Sequence, residues 1–324
     1  MRNLILFLIL FFSAALNAQD FWQQLKGPEG GNVGSLKQTP DGTLYLLSRY
    51  SGYYRSTDNG NHWSHMEVPI EDYRCYLAMN SKGNIFIATL YQGLLKSVDN
   101  GQTWALIQSP DSVSHNINGI FIDKNDRIYL FGDFGNVFLS SDNGNVFRPF
   151  NDNKIIVNNI YGFYTNSDSL FYISTQDKIF ISKNGGRTWN TSKFGQWLDF
   201  MQVNSLSEPF VSFNKDLYVS RDQGNTWDTV YVKWNWNSYR NIAFGKDSDL
   251  YLSTDTDSIF MTPDYGKTWK YISSNGLNEG GQLFTNRNFD SFIRHTITDC
   301  INLITCLTAG LNPIQDFTAN EFLE

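Results

Sequence analysis

Cysteine is scarce in this sequence. Cys75, Cys300 and Cys306 are the three in 324 residues, so no disulfide framework holds the chain together, and a chain of this length can bury its own core without one. Cys300 and Cys306 are close enough in sequence to pair across a tight turn, which would leave Cys75 over. Histidine is as rare. His62, His65, His115 and His295 are scattered, and no His/Cys/Asp cluster has metal-ligand spacing. Positive charge is in deficit: 25 Lys and Arg stand against 32 Asp and Glu, a formal net charge of −7. That balance excludes the basic footprint that nucleic acid requires and gives no purchase on anionic lipid. There is no glycine-rich phosphate loop opening a helix and no serine nucleophile elbow. These absences leave no expected cofactor, no metal and no catalytic residue that can be named.

Long apolar runs are missing too, with one exception. Leu4 to Leu16 is apolar except for Ser13, follows Arg2, and gives way to Asn17-Ala18 before polar Gln19-Asp20. Such a stretch reads as a secretory signal peptide over residues 1–18, cut after Ala18. No later segment reaches membrane-spanning length. The expected location is therefore outside the cytoplasm, in the periplasm or cell envelope or beyond it.

Aromatic residues are abundant, at 16%, and they suit half-buried pleated strands. They recur in a pattern. The octet Ser56-Thr-Asp-Asn-Gly-Asn-His-Trp63 returns at Ser97–Trp104, Ser140–Phe147, Ser182–Trp189, Ser220–Trp227 and Thr262–Trp269. A period of about 41 residues with turn signals inside each unit fits four short strands per repeat, the blade of a β-propeller. In the first unit the strands are expected at 33–39, 43–47, 53–56 and 63–68, with Pro40-Asp41-Gly42 as a turn.

Each octet position has a structural reason. A short carboxylate or amide at position three (Asp58, Asp99, Asp142, Asn184, Asp222, Asp264) accepts backbone N–H bonds within its own turn. Glycine at position five (Gly60, Gly101, Gly144, Gly186, Gly224, Gly266) tolerates the positive φ of a sharp reversal. The closing aromatic (Trp63, Trp104, Phe147, Trp189, Trp227, Trp269) supplies apolar area between neighbouring sheets. One carboxylate per turn is too few oxygens for a tight calcium site.

The octets match the S-x-D-x-G-x-x-W Asp box, and from 21 to 271 the chain resembles the Asp-box (BNR-repeat) propellers. That group includes sialidases, sortilin-type receptor domains, certain xyloglucan hydrolases and photosystem II assembly factors of the Ycf48 kind. The resemblance implies an all-β propeller of four-stranded antiparallel blades over residues 19–273. It leaves 274–324 as an irregular tail or as a degenerate or truncated final blade, so six and seven blades both remain open. Phe21 to Leu25 reads as the outermost strand of a blade with nothing before it. Such a strand would close the ring against the last blade.

A propeller places its Asp-box turns on one face and its second-to-third-strand loops on the other. Six residues before each octet stand Tyr50, Tyr91, Phe134, Gln176, Asn214 and Thr256. Connections to the same face carry Tyr73, Arg74, His115, Trp197 and the run Trp234-Asn-Trp236-Asn-Ser-Tyr239-Arg240. Tyr50, Tyr91, Phe134, Trp197, Trp234, Trp236, Tyr239 and Arg240 are therefore the candidate ligand-binding residues, since flat rings among Asn, Ser and Arg suit extended peptides or sugars. The alternative is that these rings pack the loops against blade edges. Sialidase chemistry is not expected, because the segment Asn32 to Leu36 lacks the arginine that opens that family's carboxylate clamp. Loop carboxylates Asp133, Asp177, Asp216, Asp255 and Asp257 form no pair with an evident acid/base logic. The resemblance to receptor and assembly-factor propellers makes a non-catalytic scaffold for a protein or peptide the leading expectation. A glycan-binding protein or glycoside hydrolase, sialidase-like or xyloglucanase-like, is the second.

Overall fold

The computed structural model describes residues 22–29, 33–48, 52–70, 75–107, 117–132, 135–150, 159–165, 167–194, 198–214, 216–230, 239–245, 249–254, 259–272, 283–285, 291–294 and 300–306. All the regular structure among them is β, in four-stranded antiparallel sheets.

Strand β1 is Trp22–Glu29. The first octet blade follows as β2 (Val33–Gln38), β3 (Leu44–Ser48), β4 (Gly52–Ser56) and β5 (Ser64–Met66). The second is β6 (Cys75–Met79), β7 (Ile85–Thr89), β8 (Gly93–Ser97) and β9 (Ala105–Ile107). The third is β10 (Ile117–Ile122), β11 (Ile128–Gly132), β12 (Val137–Ser140) and β13 (Arg148–Pro149). The fourth is β14 (Gly162–Thr165), β15 (Phe171–Ser174), β16 (Lys178–Ser182) and β17 (Asn190–Lys193). The fifth is β18 (Leu198–Val203), β19 (Pro209–Phe213), β20 (Asp216–Val219) and β21 (Asp228–Val230). The sixth is β22 (Tyr239–Phe244), β23 (Leu250–Thr254), β24 (Ile259–Thr262) and β25 (Lys270–Ile272). Each blade runs in sequence order, as a meander.

The seventh sheet differs. It combines β26 (Leu283–Thr285), β27 (Ser291–Arg294) and β28 (Cys300–Cys306) with β1, in the order β1-β28-β27-β26. The first strand of each octet blade lies beside the first strand of the next, and β22 lies beside β26, so first strands form the inner wall. β1 is then the outermost strand of the seventh sheet and runs directly on to the innermost strand of the first blade. The ring is closed by strand pairing between the two ends of the chain, Trp22 opposite Cys306 and Leu25 opposite Leu303. Pro28, which has no N–H to give a ladder, falls where that register slips between Lys26 and Glu29. Cys300 and Cys306 lie on the single extended strand β28. Six steps along an extended strand separate them by roughly 20 Å, far beyond disulfide reach, which corrects the expectation of a tight turn between them. Cys75 is buried at the start of β6.

The core sits between sheets rather than within one. Tyr45, Leu47 and Met66 of the first blade pack against Leu77, Ile85, Ile87 and Leu95 of the second, with Trp104 against the cluster. Trp189, Trp227 and Trp269 occupy the matching place at the next seams, and Phe147 does so between the second and third blades. Fully burying a Leu, Ile, Phe or Met side chain at these seams contributes about 1.5–3 kcal/mol, and the partly buried octet aromatics pack against that core. Second strands are continuously buried (β3, β7, β11 and β23 throughout), because both their faces meet neighbouring sheets. The outer strands of the first five blades are short and mostly exposed.

Candidate functional site

Connectivity fixes two faces. First and third strands end at one face, where the first turns and the octets lie. At the opposite face the first strands begin and the second-to-third loops emerge.

At the octet face the polar groups are consumed internally. Ser56 Oγ donates to Asp58 Oδ1 at 2.8 Å and accepts the Gly60 N–H at 2.8 Å. Asp58 Oδ1 also accepts the His62 N–H at 2.9 Å, and Trp63 Nε1 donates to the Gly60 carbonyl at 3.0 Å. The serine-to-carboxylate bond and the position-seven N–H bond recur at Asp99, Asp142 and Asp222, and from Thr262 at Asp264. Asn184 makes the same bonds through its amide oxygen. Positions four and five both have positive φ, as at Asn59 (57°) and Gly60 (87°). The first turns are tied to each other. Ser81 N and Oγ donate to Asp126 of the next blade at 2.7 and 2.6 Å, and Arg127 bridges Asp123 and Asp168. Among the described residues no group of three His, Cys, Asp or Glu is placed to hold a metal ion.

These hydrogen bonds hold octet carboxylates well below the usual range. Asp58 falls to about 2 through the His62 backbone N–H and ring, and Asp222 to about 2 through the Thr226 backbone N–H and hydroxyl. Asp99 reaches about 2 through the Thr103 hydroxyl and backbone N–H. A folded value below the unfolded one means that the ionised form favours the fold above pH ~4, and that this contribution drains away as pH falls toward 2. We expect the urea midpoint to hold from pH 7 to 5 and to drop below pH 4. The triple variant Asp58→Asn, Asp99→Asn, Asp222→Asn copies what Asn184 already does and should fall less steeply there. An unchanged slope would clear these carboxylates of the acid sensitivity.

At the opposite face the inner strands carry a repeated irregularity. The register shifts between Val33 and Ser35, Ile117 and Gly119, Leu198 and Phe200, and Tyr239 and Asn241. In each blade one extra residue is squeezed in: Gly34, Asn118, Asp199 and Arg240. The fourth blade does the same with Tyr161, whose N–H donates to the Ser174 carbonyl already opposite Gly162. All five stand four residues before the end of their strand. Bulges of this kind bend an edge and re-aim a side chain. The second blade lacks one, for Cys75 pairs regularly with Thr89, and its next residue, Tyr76, is 40% exposed. Tyr161 is 55% exposed and Tyr91, in the loop after β7, 64%. Asp199 is exposed and accepts a bond from Ser212 Oγ at 2.8 Å, while Gly34 and Asn118 are half-buried. A ring of one residue per octet blade thus surrounds the mouth of the central channel.

Of the residues expected to bind ligand, Tyr91 lies on this face and is exposed. Tyr239 and Arg240 open β22 on the same face, Arg240 at the bulge. Tyr50, Phe134, Trp197, Trp234 and Trp236 lie outside the described residues. Tyr76, Asn118, Tyr161 and Asp199 were not picked out by counting from the octets. Counting four residues back from the ends of the inner strands finds Asn118, Tyr161 and Asp199, while in the regular second blade the exposed residue is Tyr76, three before the end of β6.

The profile of the family described as Photosynthesis system II assembly factor YCF48 matches residues 9–141. No curated protein matches by sequence. Among solved structures, one titled YCF48 bound to D1 peptide superposes with a TM-score of 0.75 at 12% identity, covering 90% of this chain and 98% of that one. YCF48 from Cyanidioschyzon merolae gives 0.69 at 13%, covering 88% and 98%. The GH74 xyloglucanase from Xanthomonas campestris gives 0.62 at 14%, covering 84% of this chain and 52% of that one.

Proposed function

We propose that this chain, an Asp-box (BNR-repeat) β-propeller, is an exported, non-catalytic scaffold that holds a protein or peptide segment at the channel mouth opposite its octets. The observation that carries this reading is the asymmetry between the faces. Octet-face groups are spent on their own turns and on neighbouring blades, whereas the other face presents exposed Tyr76, Tyr91, Tyr161 and Asp199, the last two at bulges of the inner strands. Rigid, partly exposed aromatic side chains bind at low entropic cost. The likeness to a propeller solved with a peptide supports the same choice. The apolar leader over residues 4–16 supports export.

A photo-crosslinking amino acid placed at Tyr91 and, as a control, at Tyr271 tests it in cells. Tyr271 is 56% exposed but lies on the outermost strand β25. A defined protein adduct formed from position 91 and absent from position 271 is expected. Equal labelling from both positions would sink the reading. A glycan-binding or glycan-cleaving role is the second reading, favoured by the fold shared with a xyloglucanase. Turnover of xyloglucan or a fluorogenic sialoside by the purified protein would replace the first reading with that one.

A further inference from the structure

Tyr161 is held more tightly than an exposed residue needs to be. Before it, Ile160 is fully buried and its N–H donates to the Gly132 carbonyl of the third blade at 3.3 Å. After it, Gly162 is paired with Ser174 in the β14–β15 ladder and leaves no room for a side chain: a Cβ there would meet Tyr164 Cε2 at 2.6 Å and Ser174 Oγ at 2.7 Å. The Tyr161 N–H is itself bonded to the Ser174 carbonyl at 2.9 Å. A ring 55% exposed on a backbone pinned at three successive residues is a preorganised anchor. Tyr76 stands on a regular strand two blades away, with Tyr91 on the same blade and Asn118 between the two aromatic positions.

We propose that this arc binds an extended, proline-containing peptide that also carries a basic side chain. The inference deepens the scaffold reading and rests on it. A polyproline II segment has no internal hydrogen bonds, so its carbonyls are all available, and its pyrrolidine faces are flat and apolar. Tyr161 answers both features at once, the ring stacking on proline and the hydroxyl donating to a carbonyl, and the exposed ring of Tyr76 offers a second stacking surface. Asp199, exposed in the next blade, keeps one carboxylate oxygen for a guanidinium or ammonium beyond the oxygen bonded to Ser212. The net charge of −7 favours the approach of a cationic segment to the protein as a whole, and Asp199 is the carboxylate on this face that would hold it.

A displayed library of random peptides selected on the purified protein tests this without naming a partner. Enriched sequences should combine proline with Arg or Lys. Their affinity, read by fluorescence anisotropy, should fall at least tenfold in Tyr161→Ala and in Tyr76→Ala, and stay within twofold in Tyr271→Ala. Asp199→Asn should weaken Arg-bearing peptides and leave their Arg→Ala counterparts unchanged. Thermal melts confirm that each variant is folded, and Tyr161→Phe, which keeps the ring, should retain most of the affinity. Peptides enriched without proline, or bound equally by Tyr161→Ala, would overturn the inference while leaving a peptide scaffold in place. Failure to enrich any peptide would overturn both.

Discussion

Replacing Gly224 with alanine is expected to cost about 2–4 kcal/mol of unfolding free energy, the sum of a left-handed backbone penalty and an overpacked seam. Gly224 has φ +83°, and a Cβ built on it would lie 2.0 Å from Cδ1 of Ile181 and 3.3 Å from its Cγ1. Ile181 cannot step aside. It is 3% exposed, β-branched, and paired on both sides of β16 with Tyr172 and Asn190. Gly42 separates the two contributions, for its φ is +92° but no atom lies within 4 Å of a Cβ there. Gly42→Ala should therefore cost only the backbone part, about 1–2 kcal/mol. Shortening the partner removes the clash: Ile181→Val deletes Cδ1, so the double variant Gly224→Ala, Ile181→Val should be more stable than the sum of its parts by ~1 kcal/mol or more. Urea melts of the unmodified protein and the four variants check this. Equal costs at the two glycines, or strict additivity in the pair, would show that the octet glycine serves only its own turn.

The same glycine shows what could be read from residues alone. Its need for positive φ follows from the octet as a turn. Its second duty, leaving space for the preceding blade, does not, because Ile181 lies outside the octet and belongs to a different sheet. Gly101, Gly186 and Gly266 repeat the arrangement against Met66, Phe150 and Val230. Repeat period and alternation were enough for the blades, since every octet blade buries the same positions, and the first turns fall where Gly42 and Gly83 mark them. Trp104, Trp189, Trp227 and Trp269 lie between sheets for the reason that aromatic area is wanted there. The seventh sheet was legible only at one end. Trp22–Glu29 reads as a strand without a blade, while β26 to β28 carry no octet to announce them.

The channel mouth was less legible, and the reason is geometric. Positions counted back from an octet drift, because blades differ in the length of their second-to-third loop. Ser56 pairs with Leu44 in the first blade, twelve residues earlier, but Ser182 pairs with Phe171 in the fourth, eleven earlier. A bulge is a property of two strands together, two residues against one, and neither strand's alternation displays it. Asn118 and Tyr161 look like ordinary strand residues until their partners are known. Arg240 was reached from sequence by a different route, as part of an aromatic run, and the pairing puts it at the same bulge as the others.

Removing residues 19–29 should open the ring. β1 contributes the outermost strand of the seventh sheet and is the covalent lead into the innermost strand of the first blade, so its loss costs both a ladder and the closure. The exposed partner would be β28, seven residues long, Cys300–Cys306, with one row of backbone N–H and C=O groups unpaired. A long bare edge of that kind recruits another strand. We expect the truncated protein to dimerise or aggregate at micromolar concentration, to melt at lower temperature, and to lose the single cooperative transition of the closed ring. The synthetic peptide Trp22–Glu29, added in excess, should restore a monomer by occupying the vacant edge, and a Leu25→Pro version should do so poorly because it removes a donor opposite Leu303. Size-exclusion chromatography with light scattering reads the first effect and calorimetry the second. A truncated chain that stays monomeric with an unaltered melt would mean that the three C-terminal strands complete the ring without the N-terminal one.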